Sequence, residues 1–154
     1  MNKKRMGIAS LVVSASLLVG VAVNEGYKDT AYVPIKGDVP TIGFGETKNV
    51  HMGDKTTVIR SLIDLQNDLN HRKEQLATCV FVPLSQNELD AYMDLAYNIG
   101  TKAFCGSTVV KLLNEYEYKA ACYHILDWDV FHGKHLESLH VRREKEFEQC
   151  MVDQ

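Results

Sequence analysis

The stretch EGYKDTAYVPIKGDVPTIGFGET, residues 25–47, decides the fold. Pro34, Pro40, Gly37, Gly43 and Gly45 punctuate a run of β-formers that includes Tyr32, Val33, Ile35, Val39, Thr41, Ile42 and Phe44. That texture predicts a hairpin over 30–47 that turns around Lys36-Gly37-Asp38. Downstream the period changes. From Thr56 to Cys79 the apolar residues Val58, Ile59, Leu62, Ile63, Leu65, Leu69 and Leu76 recur at helical spacing, opposite a wet face of Asp64, Asp68, Arg72, Lys73 and Glu74. This is a long amphipathic helix. Ser85-Gln-Asn-Glu88 reads as a capping box, opening a helix that turns Leu89, Tyr92, Met93, Leu95, Ala96 and Ile99 inward and stops at Gly100. Further helices are predicted over 107–114, 116–127 and 139–152. The class is α+β: a small β-hairpin lobe followed by a mostly helical lobe.

Composition narrows the function. The chain has 154 residues, 45% hydrophobic and 24% charged, enough apolar content for a packed core. Three of its 17 basic residues stand at Lys3, Lys4 and Arg5, which leaves 14 against 20 acids in the remainder. A mildly acidic body argues against a nucleic-acid partner, which needs a basic footprint. The four cysteines, Cys79, Cys105, Cys122 and Cys150, lack CxxC spacing, so two disulfides in an exported protein are expected. Three pairings are open; the short closures Cys79–Cys105 and Cys122–Cys150 are favoured. His124, His132, His135 and His140 have no ligand spacing, and neither a metal nor another cofactor is expected. Arg142-Arg143 reads either as a basic spot for the cell wall or as partners of Glu144 or Glu146.

The N-terminus carries a positive head and then an uncharged run, MGIASLVVSASLLVGVAV, from Met6 to Val23. A head and run of this kind direct export, with Lys3 to Arg5 kept in the cytoplasm. As one helix the 18 residues would reach about 27 Å, just short of the ~30 Å hydrocarbon core. Gly7, Ser10, Ser14 and Gly20 dilute the apolar surface, so retention in the membrane would be weak. Signal-peptidase cleavage after Ala22, a permanent anchor and a releasable anchor are the three readings. The division expected is a membrane segment, residues 1–24, followed by a catalytic domain, residues 25–154.

Glu25 stands at the end of that run. A carboxyl beside apolar surface can be kept protonated, as a glycosidase requires of the group that donates to the leaving oxygen. Asp38 and Thr41 lie three apart on the hairpin, and the neighbouring glycines let a strand pass close to a flat sugar. These residue types alone are also compatible with an exposed Glu beside a structural turn.

The ordered set Glu25-Gly26, Ala31-Tyr32, Gly37 and Thr41-Ile42-Gly43-Phe44-Gly45 resembles the active-site signature of phage-type lysozymes, glycoside hydrolase family 24. The likeness continues through Pro83-Leu84-Ser85-Gln86, Ala96-Tyr97-Asn98-Ile99-Gly100, Phe104-Cys105-Gly106-Ser107-Thr108, Trp128 and Arg142-Arg143-x-x-Glu146. It implies a lysozyme-like fold and an endolysin. Such a muramidase cuts the β-1,4 bond between N-acetylmuramic acid and N-acetylglucosamine of bacterial peptidoglycan for host lysis. By the same resemblance Glu25 is the general acid and Thr41 helps position the attacking water. Pro34 occupies the usual place of the family aspartate, so Asp38, shifted in the loop, takes that role, with Asp29 as the fallback. Glu46 replaces the histidine common after Gly-x-Gly. Tyr97 and Ser107 are implied to line the saccharide cleft, or else serve as core packing and a helix cap. Some family members carry signal-anchor-release segments, and residues 6–23 have that look. The protein is therefore expected as a monomer, tethered to the host inner membrane and then released to the periplasm. A lytic transglycosylase and a non-catalytic, membrane-anchored wall-binding accessory are the alternatives.

Overall fold

In the computed structural model, which describes residues 4–154, the N-terminal run breaks into two pieces instead of forming one helix over 6–23. A 3-10 turn covers Ile8–Ser10, and after a non-helical link helix α1 runs Ala15–Glu25. The break has a chemical cause. The Ser14 hydroxyl accepts the Leu17 N–H as an N-cap, a role serine prefers to a helix interior. Lys73 Nζ donates to the Leu11 carbonyl at 2.6 Å and Gln86 Nε2 to the Val12 carbonyl at 2.8 Å. Side chains thus satisfy backbone that a helix would otherwise have paired. Ile8, Leu11, Leu17, Val21 and Ala22 are buried in the common core, and the 24/25 position falls inside α1. Among the described residues no helix is long and apolar enough to cross a membrane.

The hairpin forms where its prolines and glycines put it, starting two residues early. Strand β1 (Lys28–Tyr32) pairs antiparallel with β2 (Thr41–Gly43), Lys28 opposite Gly43 and Tyr32 opposite Thr41. The Asp38 N–H closes the turn on the Ile35 carbonyl at 2.9 Å. Helix α2 (Val58–Leu76) begins after its Thr57 cap and buries Leu65, Leu69 and Leu76. Ile59 and Ile63 remain exposed, because they lie on the helix face opposite the buried stripe of Ser61, Leu65 and Leu69.

Helix α3 (Gln86–Ile99) is the centre of the body. The capping box is formed on both sides: Ser85 Oγ accepts the Glu88 N–H at 3.1 Å, and Glu88 Oε2 accepts the Ser85 N–H at 2.7 Å. Leu89, Tyr92, Met93, Leu95 and Ala96 are fully buried, and Gly100 ends the helix at φ +88°. Two short helices follow, α4 (Thr101–Cys105), which the sequence reading did not contain, and α5 (Thr108–Asn114), capped by Ser107.

The helix expected over 116–127 is shorter. Tyr116 takes φ +64°, α6 covers Tyr118–Tyr123, and a 3-10 turn follows at Leu126–Trp128. A second hairpin, β3 (Val130–Phe131) with β4 (Lys134–His135), turns through His132 and Gly133, both at positive φ. That is the backbone a two-residue hairpin turn demands. Helix α7 (Glu137–Met151) closes the chain against α3, which also packs on α1, α2 and α4.

Both disulfides are the short closures. Cys79–Cys105 ties the end of α2 to α4, and Cys122–Cys150 ties α6 to α7. Cys122 and Cys150 stand 28 positions apart, and chain entropy assigns that bridge about 3–4 kcal/mol. The double variant C122S/C150S is expected to lose that much stability in urea unfolding while α3 keeps its capping box.

Candidate active site

The glycine-rich turn after β2 is fixed by what a side chain would strike. A Cβ on Gly43, at φ +65°, would lie 2.2 Å from Glu46 Oε2 and 2.4 Å from Ser61 Oγ. No L side chain fits there. Glu46 Oε2 accepts the Phe44 N–H at 3.1 Å, while Ile42 and Glu46 exchange backbone bonds of 2.9 Å. Glu46, in the place of the family histidine, is thus a staple of the turn. Burial raises its pKa above the ordinary carboxylate value, against the Glu46 and Phe44 N–H groups, and Asp64 and Asp68 add to the rise.

That turn brings Gly45 to Glu25. A Cβ on Gly45 would lie 3.9 Å from Glu25 Oε2 and 3.6 Å from the Tyr97 hydroxyl. Glu25, the last residue of α1, therefore shares an edge with the Gly-Phe-Gly turn and with α3. Its surroundings differ from the apolar setting that the sequence suggested. The side chain is 26% exposed, and Arg142 Nη1 donates to its Oε1 at 3.1 Å. Arg142 is in turn held by Asp94, from Nη2 to Oδ1 at 2.6 Å and to the Asp94 carbonyl at 3.3 Å. Asn24 Nδ2 donates to the other Asp94 oxygen at 3.2 Å. With Oε1 engaged, Oε2 is the oxygen of Glu25 that faces Gly45.

Behind Arg142 lies a second charged layer. Arg143, fully buried, donates to Glu146 Oε1 at 2.6 Å, to Asn98 Oδ1 at 2.9 Å and to the Trp128 carbonyl at 3.3 Å. Arg142 Nε stands 3.4 Å from the same Glu146 oxygen. Burial, with Asp94 adding, pushes the Glu146 carboxyl up to about 8, against the pull of the two arginines. Burial opposes the Arg142 charge, yet Asp94, Glu25 and Glu146 raise its pKa; burial lowers that of Arg143.

The remaining predicted residues sit as follows. Thr41 is buried on β2, and its hydroxyl donates to the Val39 carbonyl at 3.2 Å, leaving its lone pairs to accept. Asp38 is exposed in the turn between β1 and β2. Asp29, on β1, accepts from the Thr30 hydroxyl at 3.0 Å. Among the described residues neither Asp38 nor Thr41 hydrogen-bonds Glu25. Tyr97 donates its hydroxyl to the Phe44 carbonyl at 3.2 Å, and the Arg72 guanidinium covers its ring at 4.7 Å. Desolvation raises its phenol pKa. Tyr97 also lines a cavity of about 720 Å³ between the first hairpin and α2, with Ile42, Gly45, Glu46, Asp68 and Arg72. Glu25 stands just beyond the Gly45–Tyr97 edge of that cavity, not among its lining residues. The Ser107 hydroxyl is spent as a cap, accepting the Val110 N–H and donating to the Phe104 carbonyl at 2.6 Å.

Sequence reasoning missed Arg142 as the partner of Glu25, together with Asp94 and Arg72. The Arg142-Arg143-x-x-Glu146 spacing was the available signal; it suggested Glu144 or Glu146 as partners, and both arginines do meet Glu146, Arg143 at 2.6 Å and Arg142 at 3.4 Å. Glu144 pairs with His140 instead, at 3.4 Å. His135 and His140 both meet Asp129, at 2.7 and 3.1 Å. Among the described residues no group of three His, Cys, Asp or Glu is arranged to hold a metal ion.

Comparison with known proteins converges on one family. The family described as phage lysozyme matches residues 22–146. An endolysin of Salmonella phage P22 is 36% identical over 139 residues, spanning 87% of this chain and 94% of that protein. A SAR-endolysin of Enterobacteria phage P21 is 28% identical over 152 residues, 97% of this chain and 92% of that protein. The crystal structure of a P22 lysozyme variant superposes with a TM-score of 0.82 at 33% identity, covering 92% of this chain and 99% of that one.

The ion layer makes a pH prediction. A carboxyl whose folded pKa is raised to about 8 from an unfolded value near ~4.3 binds more protons folded than unfolded in that window. Stability therefore falls as pH rises from about 4.3 to about 8. Urea titrations at several pH values are expected to show this fall in the wild type and its loss in Glu146→Gln, which keeps the neutral form at every pH.

Proposed function

The chain belongs to the phage lysozyme family, with its lysozyme-like fold, and on that premise we propose that it is an endolysin that acts as a muramidase. It cuts the β-1,4 bond between N-acetylmuramic acid and N-acetylglucosamine of bacterial peptidoglycan. One observation carries the reading. Glu25 has one carboxyl oxygen fixed by Arg142 and the other turned to Gly45 of the Thr-Ile-Gly-Phe-Gly turn. In this mechanism Glu25 gives its proton to the glycosidic oxygen, the C–O bond breaks, and positive charge develops on the sugar ring. Water adds to that carbon and gives up its proton to the Asp38 carboxylate, while the Thr41 hydroxyl, already donating to Val39, accepts a hydrogen bond from the water and orients it. Arg142 is a positioning residue, and Tyr97 shapes the cleft edge through the Phe44 carbonyl.

The N-terminal segment gives this activity a place. It is a signal anchor that holds the exported enzyme at the host inner membrane and then leaves it for the periplasm. The uncharged run from Met6 to Val23 supports this, as does a SAR-endolysin relative that aligns along 97% of the chain. The released enzyme is a monomer whose substrate is the cell wall.

Glu25→Gln, whose amide oxygen can still accept from Arg142, is expected to lower lysis of purified cell walls by about two to four orders of magnitude with the fold retained; retained lysis would end the reading. Asp38→Asn is expected to cost more activity than Asp29→Asn, and the reverse order would move the second carboxylate to Asp29. Mass spectrometry of the released muropeptides is expected to find hydrated reducing ends; anhydro-muramic ends would assign the chain to the lytic transglycosylases.

A further inference from the structure

Helix α3 turns one face toward the site. Asp94, Tyr97 and Asn98 stand three and four residues apart, the spacing that brings side chains together on a helix. Tyr97 holds the Phe44 carbonyl and Asn98 holds Arg143. Asp94 holds Arg142, and there the site meets a chemical difficulty. A guanidinium 3.1 Å from Glu25 Oε1 favours the carboxylate, whereas the acid of a glycosidase must keep its proton until the leaving oxygen takes it. The bond that orients Glu25 therefore works against its reaction unless another charge balances the arginine. Asp94 is placed to balance it. Its Oδ1 accepts from Arg142 Nη2 at 2.6 Å, shorter than the bond to Glu25, and its backbone carbonyl accepts from the same nitrogen. The Asp94 side chain is mostly buried, so solvent ions screen the pair little. Asp94 also holds the Arg142 charge more strongly than Glu25 or Glu146 does.

The other groups around Glu25 do not serve this purpose. Gly45 faces Oε2 without a charge, and desolvation keeps the Tyr97 phenol beside it from ionising. Asn24, the residue before Glu25, is an amide that donates to Asp94 Oδ2 at 3.2 Å. On α7, Glu146 stands 3.4 Å from Arg142 Nε, burial disfavours its charge, and its shorter bond goes to Arg143. Lys145 lines a cavity of about 270 Å³ together with Asp94, Arg142 and Glu146, and it adds positive charge there. Neither Glu25 nor Gly45 lines that cavity, so Asp94 reaches the reaction through Arg142 and not by touching the sugar. Resting on the reading of Glu25 as the acid, we propose that Asp94 is a positioning residue for the catalytic proton. Its carboxylate takes up the Arg142 charge, so that Arg142 orients Glu25 without stripping the proton that Glu25 gives to the glycosidic oxygen. One guanidinium thus serves two carboxylates, neutralised by the first and aiming the second.

Asp94→Asn removes the charge and keeps an oxygen for Arg142, whereas Asp94→Glu keeps the charge. Asp127→Asn, on the 3-10 turn at Leu126–Trp128, removes one exposed charge elsewhere and is the control. The Glu25 carboxyl is titrated by carbon-13 NMR in each full-length protein, and hydrolysis of purified walls is followed across pH. In Asp94→Asn the Glu25 titration and the basic limb of kcat/KM are both expected to move about one pH unit toward acid. Above the limb that makes the rate about tenfold lower, and the ratio to wild type returns toward one as pH falls. Asp94→Glu should bring the limb most of the way back, and Asp127→Asn should keep it at the wild-type pH. Adding Arg142→Gln to Asp94→Asn removes the cation itself and should return the Glu25 titration to higher pH. The proposal is overturned if Glu25 titrates alike in Asp94→Asn and wild type, or if the rate loss is equal at every pH, which is a role in geometry alone. Asp94→Ser is measured beside Asp94→Asn, and loss of the fold in both would assign the carboxylate to stability and overturn the proposal as well. The titration needs no substrate, so the two readings fail separately. Lysis retained by Glu25→Gln ends the muramidase reading, while an inactive Glu25→Gln with an unmoved titration in Asp94→Asn ends only this inference.

Discussion

One guanidinium ties the fold to its chemistry. Arg142, on α7, bonds Glu25 at the end of α1 and Asp94 on α3, and it leans on Glu146 of its own helix. Three helices from distant parts of the chain therefore agree on the position of one carboxylate. An arginine can do this because its donors form a rigid fan that serves several oxygens without reorienting. Its near-complete burial makes the arrangement strict, since an arginine out of water with a partner missing is far costlier than one left in solvent. Arg143 and Glu146 form the floor beneath it, and Asn98 and the Trp128 carbonyl fill the remaining donors.

The opposite wall of the site is made by exclusion. Gly43 leaves room for Glu46 and Ser61, and Gly45 leaves room for Glu25 Oε2 and the Tyr97 hydroxyl. The turn is held from below by a carboxylate and from the side by a phenol that donates to the Phe44 carbonyl. Glu46 holds the turn by accepting the Phe44 N–H. Tyr97 and Ser107, read as saccharide contacts or else as core packing and a helix cap, have their hydroxyls bonded to the backbone, and that of Ser107 caps α5.

Much of this was legible in the sequence because it is local. Proline and glycine spacing gave the first hairpin, the Ser85–Glu88 box gave the start of α3, and short loop lengths gave both disulfides. What escaped depends on contacts between distant residues. The break at Ser14 needs Lys73 and Gln86 to satisfy the backbone before α1, and nothing in an uncharged run of small and branched residues announces them. The second hairpin rests on positive φ at His132-Gly133, a turn signal too short to stand out beside a histidine-rich stretch. Arg142 was visible as a basic residue, but Glu25 lies 117 positions away, and only the packing of α1 on α3 and α7 brings the two together.

Glu25 acts as the acid only if the scissile oxygen is delivered to the carboxyl face that Arg142 leaves open. The most direct measurement is a crystal structure of Glu25→Gln with a bound tetrasaccharide of alternating N-acetylglucosamine and N-acetylmuramic acid. The account predicts a glycosidic oxygen within about 3 Å of the residue-25 carboxamide, on the Gly45 side, the reach that proton transfer requires. A tetrasaccharide whose glycosidic oxygens all lie beyond hydrogen-bonding reach of residue 25, with the chain seated in the cavity between the hairpin and α2, would contradict it.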